Sequence, residues 1–336
     1  MDRFDILIVG AGPAGLAAAC EAQNLGLSHI VIDRKGLVHS FVEFPQTLRF
    51  FSPPDEMAID NVPFPMRGGD KPTREDALAY YRGVAAARKL KLATWESITS
   101  LEAVEGGFRV ITKKEPNGGT ETARFARAVI LATGVWDQPR TLDCVGANLS
   151  HVYYRFHEPT EYFGHSVLVI GGGNSAVTAA LSLSEAGARV TFAMRRAPKA
   201  FQSHLRPFIV RDLEFAVAER RIDLHEGVVV TKIEPGYAWL HRANYDPDFP
   251  LLIGEPYGVA ADFVFALLGQ TADTTFLMQA GLAVGEDGRP ISDPVTHETG
   301  IPGIYVAGSL QSQEVDIVIK GREQAKGVVR VIVSRM

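Results

Sequence analysis

At 336 residues, with 46% hydrophobic and 22% charged residues, the chain has an ordinary soluble globular profile and room for two domains with cores of their own. A formal net charge of −5 without a long basic run argues against nucleic acid or an anionic membrane as partner. No apolar stretch approaches the roughly 20 residues that span a bilayer, and two cysteines, Cys20 and Cys144, are too few for a disulfide framework.

Residues 5–33 read as strand, glycine turn, helix and strand. The apolar run Ile6-Leu7-Ile8-Val9 leads into Gly10-Ala11-Gly12-Pro13-Ala14-Gly15, and an alanine-rich helix from Ala14 to about Leu25 ends at Gly26. The first strand begins so close to Met1 that no signal peptide is expected, and the expected location is the cytoplasm. An irregular stretch over 35–72 follows, with prolines at 45, 53, 54, 63, 65 and 72. Connections of that length usually cover a cofactor or serve another function. Thr73 to Lys89 spaces Ala77, Leu78, Tyr81, Val84 and Ala85 for one helix face. Short strands are expected over 97–104, 108–112 and 121–125, with Asn117-Gly118 as a turn signal. Residues 128–134 read as a further buried strand closing on the tight turn at Thr133-Gly134.

Near Ser166 the pattern repeats. Val167-Leu168-Val169-Ile170 precedes Gly171-Gly172-Gly173-Asn174-Ser175-Ala176, then a helix over 174–185 and a strand over 189–194. Apolar runs at 228–233 and 263–268 continue this second unit, and 263–269 mirrors 128–134 in closing on glycine. The chain ends with a strand, Ile304-Tyr305-Val306-Ala307 into Gly308, and a terminal helix from about Val315. The 161 positions between Gly10 and Gly171 (171 − 10) favour two domains over one long sheet, with linkers near 140–162 and 255–265.

The two glycine turns carry the chemistry. In such a turn the first glycine permits the tight bend, the second lets a pyrophosphate approach the backbone, and the third lets helix and strand pack closely. The helix that follows offers unpaired N–H groups and a partial positive charge to the phosphates. Twenty-one positions beyond the middle glycine the copies diverge. The first has Asp33 (33 − 12), with Arg34 next to it; the second has Met194 (194 − 173), then Arg195 and Arg196. An acid there accepts hydrogen bonds from a free ribose 2′-hydroxyl, whereas arginines accommodate a 2′-phosphate. The pair of dinucleotides this implies is FAD at the first site and NADPH at the second. Nine scattered histidines lack metal-ligand spacing, and no metal is expected.

The order of these segments, with Ala132-Thr133-Gly134 between the glycine motifs and Tyr305-Val306-Ala307-Gly308 after them, resembles the two-dinucleotide flavoprotein family that includes thioredoxin reductase. The resemblance implies an α/β fold of two Rossmann-like, three-layer ββα domains. It places FAD on 1–145 plus 265–336 and NADPH on 150–262, and implies a homodimer or higher homo-oligomer. Thioredoxin reductases carry a Cys-x-x-Cys pair shortly before the second glycine motif. This chain has none, so their dithiol relay is excluded.

Segments outside the nucleotide motifs are more closely similar to the bacillithiol-disulfide (bacilliredoxin) reductase family. They are Phe50-Phe51-Ser52 leading to Val62-Pro63-Phe64, Lys71-Pro72 with Ala77-Leu78-Ala79-Tyr80-Tyr81-Arg82, and Leu142 through Gly146-Ala147-Asn148-Leu149. By this resemblance Phe51, Ser52 and backbone N–H groups near Gly308 lie by the flavin, with Ser309 where related flavoproteins have an aspartate. One departure bears on the substrate: the family carries a cysteine directly before the last glycine of the first motif, and here Ala14 stands there. Alanine is neither nucleophile nor redox partner.

The expected activity is therefore hydride transfer from NADPH to FAD and direct delivery of electrons to an acceptor, a small molecule such as a bacillithiol-type disulfide or a small redox protein. Three other readings stay open at this point: electron transfer of the ferredoxin/flavodoxin–NADP reductase type, a flavin monooxygenase, and a nucleotide-sensing protein without turnover.

Overall fold

The computed structural model describes residues 1–66, 69, 71–116, 118–196, 205–244, 251–311 and 317–336. Asn117 and Val315, read above as part of a turn and as a helix start, lie outside the described residues. The chain divides into two compact units, Met1–Gln138 with Thr271–Met336, and Pro139–Gln270.

In the first unit a seven-stranded sheet runs in the order Leu92–Thr94, His29–Asp33, Asp2–Val9, Glu121–Leu131, Gly107–Lys114, Glu96–Val104, with Ile304–Val306 also paired to Glu121–Leu131. The central strands are parallel, and their apolar residues are buried on both faces, as a parallel sheet demands. Glu121–Leu131 is one strand where the sequence suggested two. Glu121–Ala126 pairs antiparallel with Gly107–Lys114 and Arg124–Leu131 pairs parallel with Asp2–Val9, and the overlap at 124–126 leaves no place for a break.

The first helix, Pro13–Asn24, starts with proline in its first turn and is buried from Gly15 to Ala22. Its small side chains let the terminal helix, Ile317–Arg335, pack closely, with Ala325, Val328, Val329 and Ile332 in the shared core. The helix Arg74–Ala87 is opened by a capping box between Thr73 and Asp76 and buries Ala77, Tyr80, Tyr81, Val84 and Ala85. Between them, the stretch over 35–72 contains two single-turn helices, His39–Val42 and Pro54–Met57.

The second unit has a five-stranded parallel sheet in the order Ile222–Glu226, Arg189–Met194, Ser166–Ile170, Phe263–Ala266, Val152–Tyr153. The helices Asn174–Glu185 and Pro207–Ala218 accompany it. A three-stranded antiparallel sheet of Val228–Glu234, Gly236–Asn244 and Leu251–Ala261 completes it. The stretch 255–265 is therefore not a linker: it lies in the strands Leu251–Ala261 and Phe263–Ala266. The chain adopts the expected α/β architecture with two Rossmann-like sheets, the first mixed with a parallel centre and the second parallel. Among the described residues no helix is long and apolar enough to cross a membrane.

Candidate dinucleotide sites

In both units the strand before the glycine turn lies between the strand that follows it in sequence and one that arrives much later. The order therefore reverses at Asp2–Val9 and at Ser166–Ile170. Ligands of open α/β sheets bind at the carboxyl ends of the strands at such a switch point. The backbone repeats itself there. Gly10 N donates to Ile32 O at 2.7 Å and Gly171 N to Ala193 O at 3.1 Å, while Ala132 N donates to Val9 O at 2.7 Å and Leu267 N to Ile170 O at 2.8 Å.

The glycines divide the work as their spacing predicts. Gly10 has φ +111°, and a Cβ on it would lie 2.3 Å from Ala132 O. A Cβ on Gly15 would lie 1.9 Å from Gly10 O, the close strand–helix approach. A Cβ on Gly12 would meet nothing within 4 Å, so the middle of the turn faces open space at the helix N-terminus, as an incoming pyrophosphate requires. In the second copy Gly173 is likewise open, and Gly171, at φ +150°, packs under Leu267 O. Ala176 replaces the third glycine there, with its methyl tucked against Gly171 and fully buried.

Asp33 ends its strand with one carboxylate oxygen accepting from Ala11 N at 2.7 Å and the other from Lys35 N at 2.8 Å. This ties the acid to the turn and leaves lone pairs for hydroxyl donors. Arg34 turns away to pair with Asp137 and, at 3.2 Å, with Asp273. Its charge is thus taken up by carboxylates, and the first site presents a surplus of negative charge that suits a ribose with a free 2′-hydroxyl. At the second site Arg195 is exposed and Arg196 half-buried directly after Met194, the polarity a 2′-phosphate calls for. Asn174 accepts a hydrogen bond from Arg206 N at 3.1 Å, linking this turn to the start of Pro207–Ala218, and Ser175 is exposed beside it.

The far side of the first crevice is formed by two further glycine turns. Gly134 (φ +74°) and Gly308 (φ +75°) follow the neighbouring strands Glu121–Leu131 and Ile304–Val306. Ser309 Oγ accepts from Val135 N at 3.3 Å and joins them. Thr133 is exposed at the same edge, and Phe51 and Ser52 are half-buried in the irregular segment.

Side chains from beyond residue 70 satisfy several backbone carbonyls within 41–62. Arg74 donates to Phe41 O and Val42 O, Lys71 to Phe51 O, Tyr81 to Met57 O, Tyr80 to Val62 O, and Arg322 to Asp55 O and Ala58 O. Phe41, Phe44 and Phe50 pack ring against ring within this segment, and Trp136, after the Gly134 turn, meets Phe44 edge-on. The sequence places Tyr81 on an apolar helix face, and the structure buries Tyr80 beside it. Their hydroxyl targets, and the roles of Arg322, Asp137 and Asp273, have no local signal because each partner is distant in sequence.

Both cysteines are free. Cys20 is fully buried in the first helix, and burial, with Asp60 nearby, pushes its thiol up to about 11. Cys144 belongs to the second unit, and its thiol is also raised by burial. Neither is a ready thiolate at neutral pH.

A family model described as pyridine nucleotide-disulphide oxidoreductase matches residues 7–308. The bacilliredoxin reductase Bdr of Bacillus subtilis is 32% identical over 304 residues, covering 90% of this chain and 88% of that protein. A ferredoxin–NADP reductase of Thermus thermophilus is 29% identical over 313 residues, covering 92% and 85%. The structure of bacillithiol disulfide reductase Bdr from Bacillus cereus superposes with a TM-score of 0.90 at 31% identity, with full coverage of both chains.

Proposed function

Because this chain belongs to the pyridine nucleotide-disulphide oxidoreductase family and is an NADPH-dependent flavin oxidoreductase, we propose that its acceptor is a low-molecular-weight disulfide of the bacillithiol type, reduced directly at the flavin. The net reaction is NADPH + H⁺ + RSSR → NADP⁺ + 2 RSH. The observation that carries direct transfer is the state of the two thiols: the one in the first unit is sealed in a helix core with its proton held tightly, so no protein thiolate there can relay electrons. The nature of the acceptor rests on the Bdr relatives, whose names give that substrate class.

In this reading the unit of Met1–Gln138 and Thr271–Met336 binds FAD and the unit of Pro139–Gln270 binds NADPH. Gly10, Gly12, Pro13, Ala14 and Gly15 cradle the FAD pyrophosphate. Asp33 takes the ribose with Arg34 beside it, and Phe51, Ser52, Thr133, Gly134 and Gly308 border the flavin half. Gly171, Gly173, Asn174, Ser175 and Ala176 cradle the NADPH pyrophosphate, and Arg195 and Arg196 pair with its 2′-phosphate. The open faces of Gly12 and Gly173 and the opposite charge at the two strand ends support this assignment. FAD, when bound, supplies the two-electron chemistry between nicotinamide and disulfide. We further place the enzyme in the cytoplasm as a homodimer, the dimer being testable by light scattering.

The test is anaerobic reduction by NADPH followed by bacillithiol disulfide, read at the flavin absorbance near roughly 450 nm. Prompt reoxidation with release of two thiols per NADPH is expected. A flavin that stays reduced, yet is reoxidised by ferredoxin or flavodoxin, would replace the disulfide by a protein acceptor.

A further inference from the structure

Gly308 has no side chain with which to anchor itself, yet the turn it opens is tightly placed. A Cβ on Gly308 would lie 2.7 Å from Ala14 Cβ, and a Cβ on Gly321 would lie 3.0 Å from Gly308 Cα. The Gly308 turn thus packs against the methyl of Ala14 on the first helix and directly against the backbone of the terminal helix at Gly321. What holds the turn is one side chain about one helical turn beyond Gly321, that of Gln324 (324 − 321 = 3). Gln324 Oε1 accepts from Gly308 N at 2.9 Å, and Gln324 Nε2 donates to Gln311 Oε1 at 2.7 Å. Because the backbone N–H can only donate, the amide is oriented unambiguously: its oxygen faces Gly308 and its nitrogen faces Gln311. A single amide therefore clamps both ends of the turn Gly308–Leu310. Through Ser309 the clamp extends to the Gly134 turn.

These turns follow the strands that lie across Asp2–Val9 from His29–Asp33, the strand that ends in Asp33. A dinucleotide whose adenosine ribose meets Asp33 and whose pyrophosphate lies over Gly12 must run toward them with its other half. We propose that Gln324 is a positioning residue for the flavin half of FAD: it fixes the Gly308–Ser309 turn against the glycine turn at 10–15 and does so as an uncharged group. The proposal rests on the reading that the first unit holds FAD. Neutrality matters because charge near the flavin ring shifts its electronics.

The test compares Q324L and Q324E with the wild-type holoprotein, using FAD affinity, the flavin absorption band and the midpoint potential. Q324L removes both bonds and is expected to weaken FAD binding about tenfold and to blur the fine structure of the band. Q324E keeps an acceptor for Gly308 N. Its affinity is expected to stay within about threefold of wild type, an order-of-magnitude expectation for a retained hydrogen bond, while its potential moves to more negative values because a carboxylate disfavours electron uptake. Wild-type affinity, band shape and potential in both variants would overturn the proposal. Should Q324L fail to fold, the potential of Q324E decides the matter. None of these readouts needs NADPH or an acceptor, so a wild-type enzyme that fails to reduce disulfides would overturn the proposed acceptor and leave the role of Gln324 standing.

Discussion

Ala14 and Gly308 lie 294 positions apart (308 − 14) and meet so closely that a Cβ on Gly308 would fall 2.7 Å from the methyl of Ala14. With Gly308 at φ +75°, a Gly308→Ala change suffers twice, from overpacking and from a left-handed backbone. The expected cost is about 2–4 kcal/mol of stability, read from the urea midpoint, together with loss of bound flavin. A variant with wild-type midpoint and flavin content would show that the two ends of the chain do not depend on this contact.

The glycines of the first turn separate folding from binding. Gly12→Val places its side chain in open space. Stability should stay within about 0.5 kcal/mol, while FAD affinity falls by about a hundredfold or more, the equivalent of ~2.7 kcal/mol. Gly15→Ala, whose Cβ would sit 1.9 Å from Gly10 O, should lose about 1–3 kcal/mol of stability even without cofactor. Calorimetry of the apoproteins with FAD titration distinguishes the two. The same response in both variants contradicts the division of roles.

Replacing Arg195 and Arg196 together by glutamine should raise the KM for NADPH about 10–100-fold, the range of charged hydrogen bonds, and leave that for NADH nearly unchanged. Steady-state kinetics with both nucleotides is the measurement. Equal shifts would mean that the arginines are only a solvated edge.

Cys20 should behave as a core residue and not as a redox group. Burial pushes its thiol from the ordinary 9.0 up to about 11 in the folded chain, so the folded state holds the proton more tightly than the unfolded state. The stability this gives is fully present below pH 9 and is lost as pH rises from 9 to about 11, at up to about 1.4 kcal/mol per pH unit. Cys20→Ala should flatten that part of the alkaline stability curve and leave NADPH-dependent turnover at neutral pH within about twofold, a change of less than 0.5 kcal/mol in the barrier. Turnover abolished in a variant that folds and binds FAD would restore a thiol step.

The sequence by itself determined the two strand–turn–helix units, their order, and the contrast between Asp33 and the Arg195-Arg196 pair. These features are local: glycine spacing, an apolar run before it and one charged position after it act within about thirty residues, the span of a βαβ unit. Even the long proline-rich stretch could be marked as something other than a simple loop by its length alone. The tertiary structure decided the rest, because the decisive bonds join residues far apart in sequence. Arg34 is marked in the sequence only by its place after Asp33, and its ion pairs with Asp137 and Asp273 span more than a hundred positions. The carbonyls of 41–62 are satisfied from Lys71, Arg74, Tyr80, Tyr81 and Arg322, and no periodicity announces a hydroxyl or guanidinium that caps a distant backbone. Gln324 looks like any polar residue on a terminal helix until the close packing of Gly321 on Gly308 brings its amide onto the turn. A buried backbone group accepts whichever partner the packing delivers, and packing is a property of the whole chain.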